Sequence, residues 1–408
     1  MCGSVRTLLL VLCFFITSVC IQADEPVRPR RFIYNSDADN MFIYKGPPMQ
    51  PEDVSPYIDQ VAASGVTTFS MSPNDGMVMN FPSRHARMLG DEDDPEILKQ
   101  IEETGRTKPG TLARAALNYK AFVEQGQDAM GIAVERAKEQ GMEVFLSFRI
   151  NEVHGTDTPD VFPYNLILSR FWREHPEYWI GQPGDPLSQL HQDILGPRTS
   201  PVVGKWLPGG LDFAHEEVRQ RRYDQIVECL ERYDVDGLEI DFQRFPMFFK
   251  DGEEEQNLDA MTDLMRRLRE LTTRLGKERE RPLLLSARVM ARPEQNRAVG
   301  LDVFRWAEEG LVDFLIASHY LRNDFPLPVK EYRERMPRDM PLYASIEVEP
   351  QADTYRTLAR QLYADGVDGL MLFNYFTRRE SGNEPDFELV KELSDPVTIQ
   401  QPAEAGKH

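Results

Sequence analysis

Cysteine is scarce in this sequence, with 4 residues among 408. Three of them lie within the first 20 positions, and Cys229 is the only one in the remainder of the chain. One cysteine cannot form an internal disulfide, so a folded domain here must be stabilised by its apolar core. Cys229 has helical spacing with Ile226 and Leu230, which predicts a buried core residue rather than a nucleophile.

Basic residues are outnumbered, and the motifs of common cofactor sites are missing. Lysine and arginine total 47 against 67 aspartate and glutamate residues, giving a formal net charge of −20. Such a balance disfavours nucleic acid and anionic membrane surfaces as partners. The sequence has no Gly-rich phosphate turn, no nucleophile elbow and no paired-histidine zinc motif. We therefore expect neither a cofactor nor a metal ion.

Long apolar runs are confined to the N-terminus. Arg6 precedes a mostly apolar stretch from Leu8 to Val19, which is too short to span a bilayer, and Ala23 offers a small residue before Asp24. This arrangement is typical of a secretory signal peptide. We predict that residues 1–23 are removed and that the mature protein is secreted or periplasmic, without a membrane anchor.

The rest of the chain alternates between strand-like and helix-like patterns. Strands are predicted at 31–36, 66–72, 142–151, 235–242, 283–290, 313–320, 342–349 and 367–376. Helical spacing occurs at 54–64, 112–140, 216–233, 258–275, 303–309, 329–335, 354–364 and 387–393. Eight such pairs predict an α/β fold, a (β/α)8 TIM barrel.

The predicted barrel occupies residues 28–396 and precedes a loose tail at 397–408. Its loops are enlarged after the second strand, to about residue 110, and after the third, from 152 to about 210. An internal sequence similarity supports the barrel, because VDGLEIDFQRF at strand four resembles VDGLMLFNYF at strand eight. The rival is an open doubly wound sheet, which normally has a Gly-rich turn after its first strand.

Strand four carries acidic residues on one face only. Apolar residues at 238, 240 and 242 alternate with Glu239 and Asp241. Because helical patterns flank this strand, its apolar face should pack under helices and its acidic face should point into the barrel. Buried carboxylates are costly unless they are paired or functional. Both residues are candidate catalytic groups, and a salt bridge to an arginine of a neighbouring strand is the structural alternative.

Strand seven offers the second carboxylate, either Glu347 or Glu349. Both share the inward parity, and strands four and seven lie on opposite sides of a small barrel, so one of them would face Asp241 across the mouth. Two carboxyl groups beside a sugar can cleave a glycosidic bond, one as proton donor and the other by attack or by activating water. The alternative is that arginines simply neutralise the pair.

Further residues at the strand ends are candidate substrate contacts. They are Arg149, Asn151, Arg244, Arg288, His319, Tyr320, Asn374 and Tyr375. The loop after strand three adds Trp172, Trp179 and Trp206, whose rings could stack on sugar faces or anchor the loop. The arginines could bind the carboxylate or sulfate of an anionic sugar, or could balance the inward carboxylates.

Three segments resemble the barrel-shaped glycosyl-hydrolase-like families. VDGLEIDFQRFP resembles their strand-four signature, while REHPEYWIG (173–181) and LDFAHEEVRQ (211–220) resemble segments that precede that strand. The resemblance implies a secreted or periplasmic carbohydrate-active barrel with Asp241 as a catalytic residue. Gln243 stands where the chitinase pattern has its acid, so the resemblance does not carry chitinase chemistry to that position.

These observations together predict a glycoside hydrolase that acts on a polysaccharide or oligosaccharide, with Asp241 and Glu347 or Glu349 as its carboxylate pair. Two alternatives stay open. One is a non-catalytic barrel that binds glycan through its aromatic loop. The other is a carbohydrate lyase or esterase that acts on acidic sugars.

Overall fold

Eight parallel strands close into a barrel in the computed structural model, which describes residues 28–37, 40–323, 326–375 and 384–400. The strands are β1 Phe32–Ser36, β2 Thr68–Met71, β3 Glu143–Arg149, β4 Gly237–Asp241, β5 Leu284–Met290, β6 Phe314–Ser318, β7 Leu342–Ile346 and β8 Gly369–Leu372. They follow one another around the barrel in chain order, and β1 pairs with both β2 and β8. The predicted (β/α)8 barrel is confirmed, since an open sheet would leave β1 and β8 as edges.

Helices surround the barrel. Their bounds are α1 Ser55–Ala63, α2 Pro95–Thr107, α3 Leu112–Glu124, α4 Ala129–Glu139, α5 Arg170–Glu174, α6 Gln189–Leu195, α7 Pro201–Trp206, α8 Glu216–Arg232, α9 Leu258–Glu278, α10 Pro293–Ala298, α11 Val303–Glu308, α12 Val329–Arg335, α13 Ala352–Ala364, α14 Phe387–Ser394 and α15 Pro396–Gln400. A two-residue hairpin pairs Asn74–Asp75 with Val78–Met79 directly after β2.

Three helical predictions need correction. The single helix expected at 112–140 is two helices, because Gly126 takes a φ of 69° and the Asp128 side chain accepts a hydrogen bond from the Gly131 N–H, which begins α4. The polar loop expected before residue 110 contains α2, whose pattern is weak because it buries only Ile101 and Gly105. The irregular stretch expected from 152 contains the short helices α5 to α7.

Both chain ends bear on the predicted boundaries. The signal peptide predicted at 1–23 lies outside the described residues. The tail predicted to be loose from 397 begins within α15, where Ile399 is fully buried against the core. Residues 401–408 lie outside the described part of the chain.

The core has two layers separated by the barrel wall. The larger one packs the outward faces of the strands under the helices, and it includes Cys229, as predicted. The smaller one fills the barrel interior. Its members are Ile33, Phe145, Phe314, Ile316, Tyr343, Met371 and Phe373. Space at the bottom is tight, because a Cβ on Gly237 would overlap the ring of Phe145. The lower barrel is therefore plugged by side chains, which leaves chemistry to its upper end.

Candidate active site

The upper end of the barrel, at the carboxyl ends of the strands, is called the mouth. Strand register places Arg149, Asp241 and Arg288 side by side at this level on β3, β4 and β5. Glu239 lies two residues below Asp241, level with Ser147 and therefore deeper in the barrel. The predicted inward direction of the β4 acidic face is correct, since both carboxylates contact inward side chains of neighbouring strands.

Asp241, Arg288 and Glu347 form a buried ion-paired group, here called the Arg288 triad. Arg288 Nη1 donates to both carboxylate oxygens of Asp241, at 3.1 and 3.0 Å. Arg288 Nη2 donates to Glu347 Oε1 at 2.8 Å. The ring of Phe373 lies 3.6 Å from the guanidinium carbon. Residues of β4 and β7 are thus joined across the barrel by one cation from β5.

The two carboxyl groups of the triad differ in their surroundings. Asp241 Oδ1 also accepts the backbone N–H groups of Gln243 and Arg244, both at 2.9 Å. Together with the two contacts from Arg288, these bonds fix the orientation of the Asp241 carboxylate. Glu347 is fully buried, and burial raises its pKa although Arg288 opposes the shift.

Glu347 uses only one of its oxygens for bonding within the described residues. Oε1 accepts hydrogen bonds from Arg288, from Ser318 Oγ at 2.8 Å and from Ser345 Oγ at 3.0 Å. Oε2 is buried and has no hydrogen-bond partner in the described part of the chain. When the carboxyl is protonated, the proton therefore belongs on Oε2, because Oε1 already accepts three bonds.

A second charged group, the Arg149 cluster, lies beside the triad and comprises Asp37, Asp75, Arg149 and Glu152. Arg149 forms ion pairs with Asp37 and with Glu152. Burial and the neighbouring Glu152 charge raise the pKa of Asp75 to about 7. Burial alone would raise the pKa of Glu152 as well, but nearby His154 and Arg149 hold it well below its usual range.

Arg244 lies on the turn after β4, and its side chain has no carboxylate partner within the described residues. Nη2 is 2.9 Å from His154 Nε2, and Nη1 is 3.4 Å from the Tyr320 hydroxyl. The guanidinium carbon lies 4.6 Å from the centre of the Phe245 ring. His154 in turn lies 2.6 Å from Glu152 through Nδ1. Burial lowers the pKa of His154, so its imidazole is neutral at neutral pH.

No family model matches this sequence, and no curated protein matches it. Solved structures do match in three dimensions. The glycoside hydrolase domain of PgaB (BpsB) from Bordetella bronchiseptica is 11% identical, with a TM-score of 0.50 over 90% of this chain and 99% of that one. The fold that this chain shares with that domain is a closed (β/α)8 barrel. An endo-1,4-beta-mannanase from Rhizomucor miehei (10% identity, TM-score 0.49, 90% and 94% covered) and an alpha-amylase from Lactobacillus plantarum (16%, 0.46, 91% and 80%) also match.

Two of the predicted site residues, Glu239 and Asn151, form hydrogen bonds within the protein. Glu239 is 1% exposed and accepts a hydrogen bond from Ser147 at 2.7 Å, below the mouth. Burial and the charge of Asp241 raise its pKa to about 7. The side-chain amide nitrogen of Asn151 donates to the carbonyls of Leu211 and Met247, and its amide oxygen accepts the backbone N–H of Leu211.

Three aromatic residues among the predicted contacts also form hydrogen bonds within the protein. Tyr375 is fully buried and its hydroxyl donates to the carbonyl of Asp386 at 3.0 Å. Trp172 is 1% exposed, stacks on Trp179 at 4.4 Å, and donates its indole N–H to the carbonyl of Gly209 at 2.7 Å. Trp179 donates to the carbonyl of Trp172. Trp172 is closed to a ligand by burial, whereas Trp179 is half-buried and is covered on the face that stacks on Trp172.

The remaining predicted residues lie at or near the mouth. Glu349 is further out than Glu347, where it accepts a hydrogen bond from Asn323 Nδ2 at 2.8 Å and lies 3.9 Å from Arg198. Trp206 packs 5.1 Å from the His154 ring and donates its indole N–H to Asp157. His319 and Asn374 directly follow β6 and β8 and are almost completely buried.

A groove of about 720 Å³ runs along one side of the mouth. Its walls come from α6 and α7 and from Arg292 and Arg322, which follow β5 and β6. In the described ranges, no group of three or more histidine, cysteine, aspartate or glutamate side chains is arranged to hold a metal ion. Over the same part of the chain, no helix combines the length and apolar character needed to cross a membrane.

Sequence reasoning did not select Asp37, Asp75, Glu152 or His154 as site residues. The first three lie directly after predicted strands one to three, so position alone could have placed them at the mouth. What the sequence does not give is their mutual contact, which depends on side chains from three strands meeting at Arg149. His154 had no local signal, because its partners are Glu152 and a residue 90 positions away.

Proposed function

We propose that this chain is a glycoside hydrolase that cleaves a polysaccharide or oligosaccharide with Asp241 and Glu347. The observation that carries the proposal is the pairing of two carboxyl groups of different character on one guanidinium group at the barrel mouth. Glycosidic cleavage requires such a difference, because one carboxyl must donate a proton while the other acts as an anion.

Glu347 is the proton donor in this proposal. Its raised pKa keeps the carboxyl protonated to higher pH than an ordinary glutamate. The proton sits on Oε2, which has no partner among the described residues. Because the protonated form does the work, the rate should fall on the alkaline side as Glu347 ionises.

Asp241 is the anion. Arg288 and two backbone N–H groups hold its carboxylate and fix its orientation. It either attacks the anomeric carbon or activates water, and these two routes give retention or inversion of configuration respectively. Nuclear magnetic resonance of the first-formed anomer distinguishes the routes.

Cleavage is tested by incubating the protein with a panel of neutral and anionic polysaccharides and measuring new reducing ends. Wild type is compared with Asp241→Asn, Glu347→Gln and Glu349→Gln, with the exposed Glu103→Gln of α2 as the control. We expect losses of about 10²–10⁴-fold or more for the first two variants with unchanged circular dichroism. We expect Glu349→Gln to keep most activity. Unaltered turnover in Asp241→Asn discards the assignment.

One observation favours a second candidate, a non-catalytic glycan-binding barrel. Arg288 is ion-paired with both carboxylates, and the exposed fraction of each side chain in the triad is 1% or less. Retained binding without any product across the panel would support this candidate. A lyase or esterase acting on acidic sugars would instead yield an unsaturated or deacylated product.

Export belongs to the same proposal, since the substrate would be an extracellular or periplasmic glycan. It is supported by the N-terminal pattern of residues 1–23. N-terminal sequencing of the protein from culture medium or periplasm, beginning at or near Asp24, would support it. Retention in the cytoplasm with an intact N-terminus would contradict it.

A further inference from the structure

Arg149, Arg244 and Arg288 lie on or next to three neighbouring strands at the mouth, and within the described residues Arg244 differs from the other two in having no ion pair. Arg149 forms ion pairs with Asp37 and Glu152, and Arg288 with Asp241 and Glu347. Arg244 forms no salt bridge with any residue in the described ranges. Its partners are the neutral imidazole of His154 and the hydroxyl of Tyr320.

These neutral partners orient the Arg244 guanidinium without cancelling its charge. Nδ1 of His154 faces Glu152, so the imidazole presents Nε2 as an acceptor to Arg244. The ring of Phe245 lies against the guanidinium plane. Glu152, the acid behind His154, is itself paired with Arg149. The cation is thus held in a fixed orientation by groups that do not neutralise it.

The guanidinium group of Arg244 has N–H groups that could bind a ligand. Each terminal nitrogen of a guanidinium group carries two N–H bonds, so one on Nη1 and one on Nη2 remain after the contacts with Tyr320 and His154. Two N–H groups in one plane match two oxygens of a carboxylate or a sulfate. The backbone N–H of the same residue binds Asp241, which places this residue beside the proposed reaction centre.

We infer that Arg244 binds an acidic group of the substrate, a carboxylate or a sulfate carried by a sugar close to the cleaved bond. The inference rests on the proposed function and names its substrate class. Arg149 and Arg288 are excluded from this role because the carboxylates of the barrel already occupy them.

The test compares polymers that differ only in the acidic group. Polygalacturonate and alginate are each measured with their carboxyl-reduced forms, and chondroitin sulfate with its desulfated form. The proteins are wild type, Arg244→Gln and Arg244→Lys, with Arg274→Gln on the exposed surface of α9 as the control. Affinity is measured by isothermal titration, and cleavage separately by new reducing ends.

We expect wild type to prefer at least one acidic polymer over its neutral form by about 10- to 100-fold in affinity. Arg244→Gln should remove that preference and leave affinity for the neutral form unchanged. Arg244→Lys, which keeps the charge but not the planar fork, should restore part of it. If affinity falls on carboxyl reduction but not on desulfation, the bound group is a carboxylate. If affinity falls on desulfation alone, the bound group is a sulfate.

Equal affinity of wild type for acidic and neutral forms overturns the inference, and so does a preference that survives Arg244→Gln. These outcomes are separable from failure of the proposed function. Selective binding without cleavage contradicts only the hydrolase, while cleavage of neutral polymers alone contradicts only the role of Arg244.

Discussion

Asp241 and Glu347 are joined through a single guanidinium group, that of Arg288, although they come from strands on different sides of the barrel. The guanidinium group donates to both carboxylate oxygens of Asp241, but only to Oε1 of Glu347. A buried charge group of this kind costs more to break than it contributes by forming. The relationship therefore fixes the position of both acids while leaving Glu347 Oε2 available for proton transfer.

Replacing Arg288 should reveal how strongly the triad depends on its cation. We expect Arg288→Gln to lower the free energy of unfolding by about 3–5 kcal/mol, because it leaves two buried acids without a counter-charge. Arg288→Lys keeps the charge and should lose less. Urea unfolding followed by circular dichroism measures both.

The loss in Arg288→Gln should also depend on pH. Burial raises the pKa of Glu347 and Arg288 opposes that rise, so without the cation the folded-state pKa of Glu347 rises further and the penalty grows as the pH rises above its unfolded value. Arg274→Gln serves as the control. A variant as stable as wild type at pH 8 would show that Arg288 does not compensate these carboxylates.

Glu239 should make the wild-type protein less stable as the pH rises. Its folded-state pKa of about 7 lies above its ordinary value of 4.5. The penalty is therefore absent below the ordinary value and grows as the pH rises towards 7. Glu239→Gln imitates the protonated form and can still accept the Ser147 hydrogen bond.

We expect Glu239→Gln to match wild type at pH 5 and to exceed it at pH 8, by at most on the order of 3 kcal/mol. Denaturant midpoints at the two pH values measure the difference. The exposed Glu103→Gln should give no such crossover. Equal gains at both pH values would mean that Glu239 does not titrate in this range.

Trp172 should matter for stability and not for glycan binding. Trp172→Phe removes the indole N–H bonded to Gly209 and part of the stack on Trp179, so we expect a loss of about 1–3 kcal/mol. Affinity of the folded variant for any glycan bound by wild type should stay within about twofold, since Trp172 is closed to ligand. Lost binding at unchanged stability would instead make this ring part of a sugar-stacking wall.

The fold was predictable from local signals, and much of the site was not. Alternation in β4 gives the inward direction of Asp241, because strand parity needs only neighbouring residues. It also offers Arg149 and Arg288 on the two neighbouring strands as partners, but it does not decide which of them pairs with the carboxylate. The same limit applies to Asn151, which has the position of a substrate ligand but bonds to backbone groups of two distant loops.

The helix missed at α2 has a different cause. Its N-cap Asp94 and first-turn Pro95 are strong local signals, but the acidic run around them is also typical of a solvated loop. The polar composition of this stretch, in which α2 buries Ile101 and Gly105, led to the prediction of a loop. Capping residues deserve more weight where a helix buries little surface.

Leaving-group dependence tests the division of roles between Asp241 and Glu347 most directly. Aryl glycosides of the sugar identified in the polysaccharide panel are compared, with 2,4-dinitrophenyl and phenyl leaving groups. A good leaving group departs without protonation, so Glu347→Gln should lose about 10²–10⁴-fold on the phenyl glycoside and far less on the dinitrophenyl one. Asp241→Asn should lose heavily on both. Equal losses for Glu347→Gln on the two substrates, or an Asp241→Asn enzyme as active as wild type, would contradict the account.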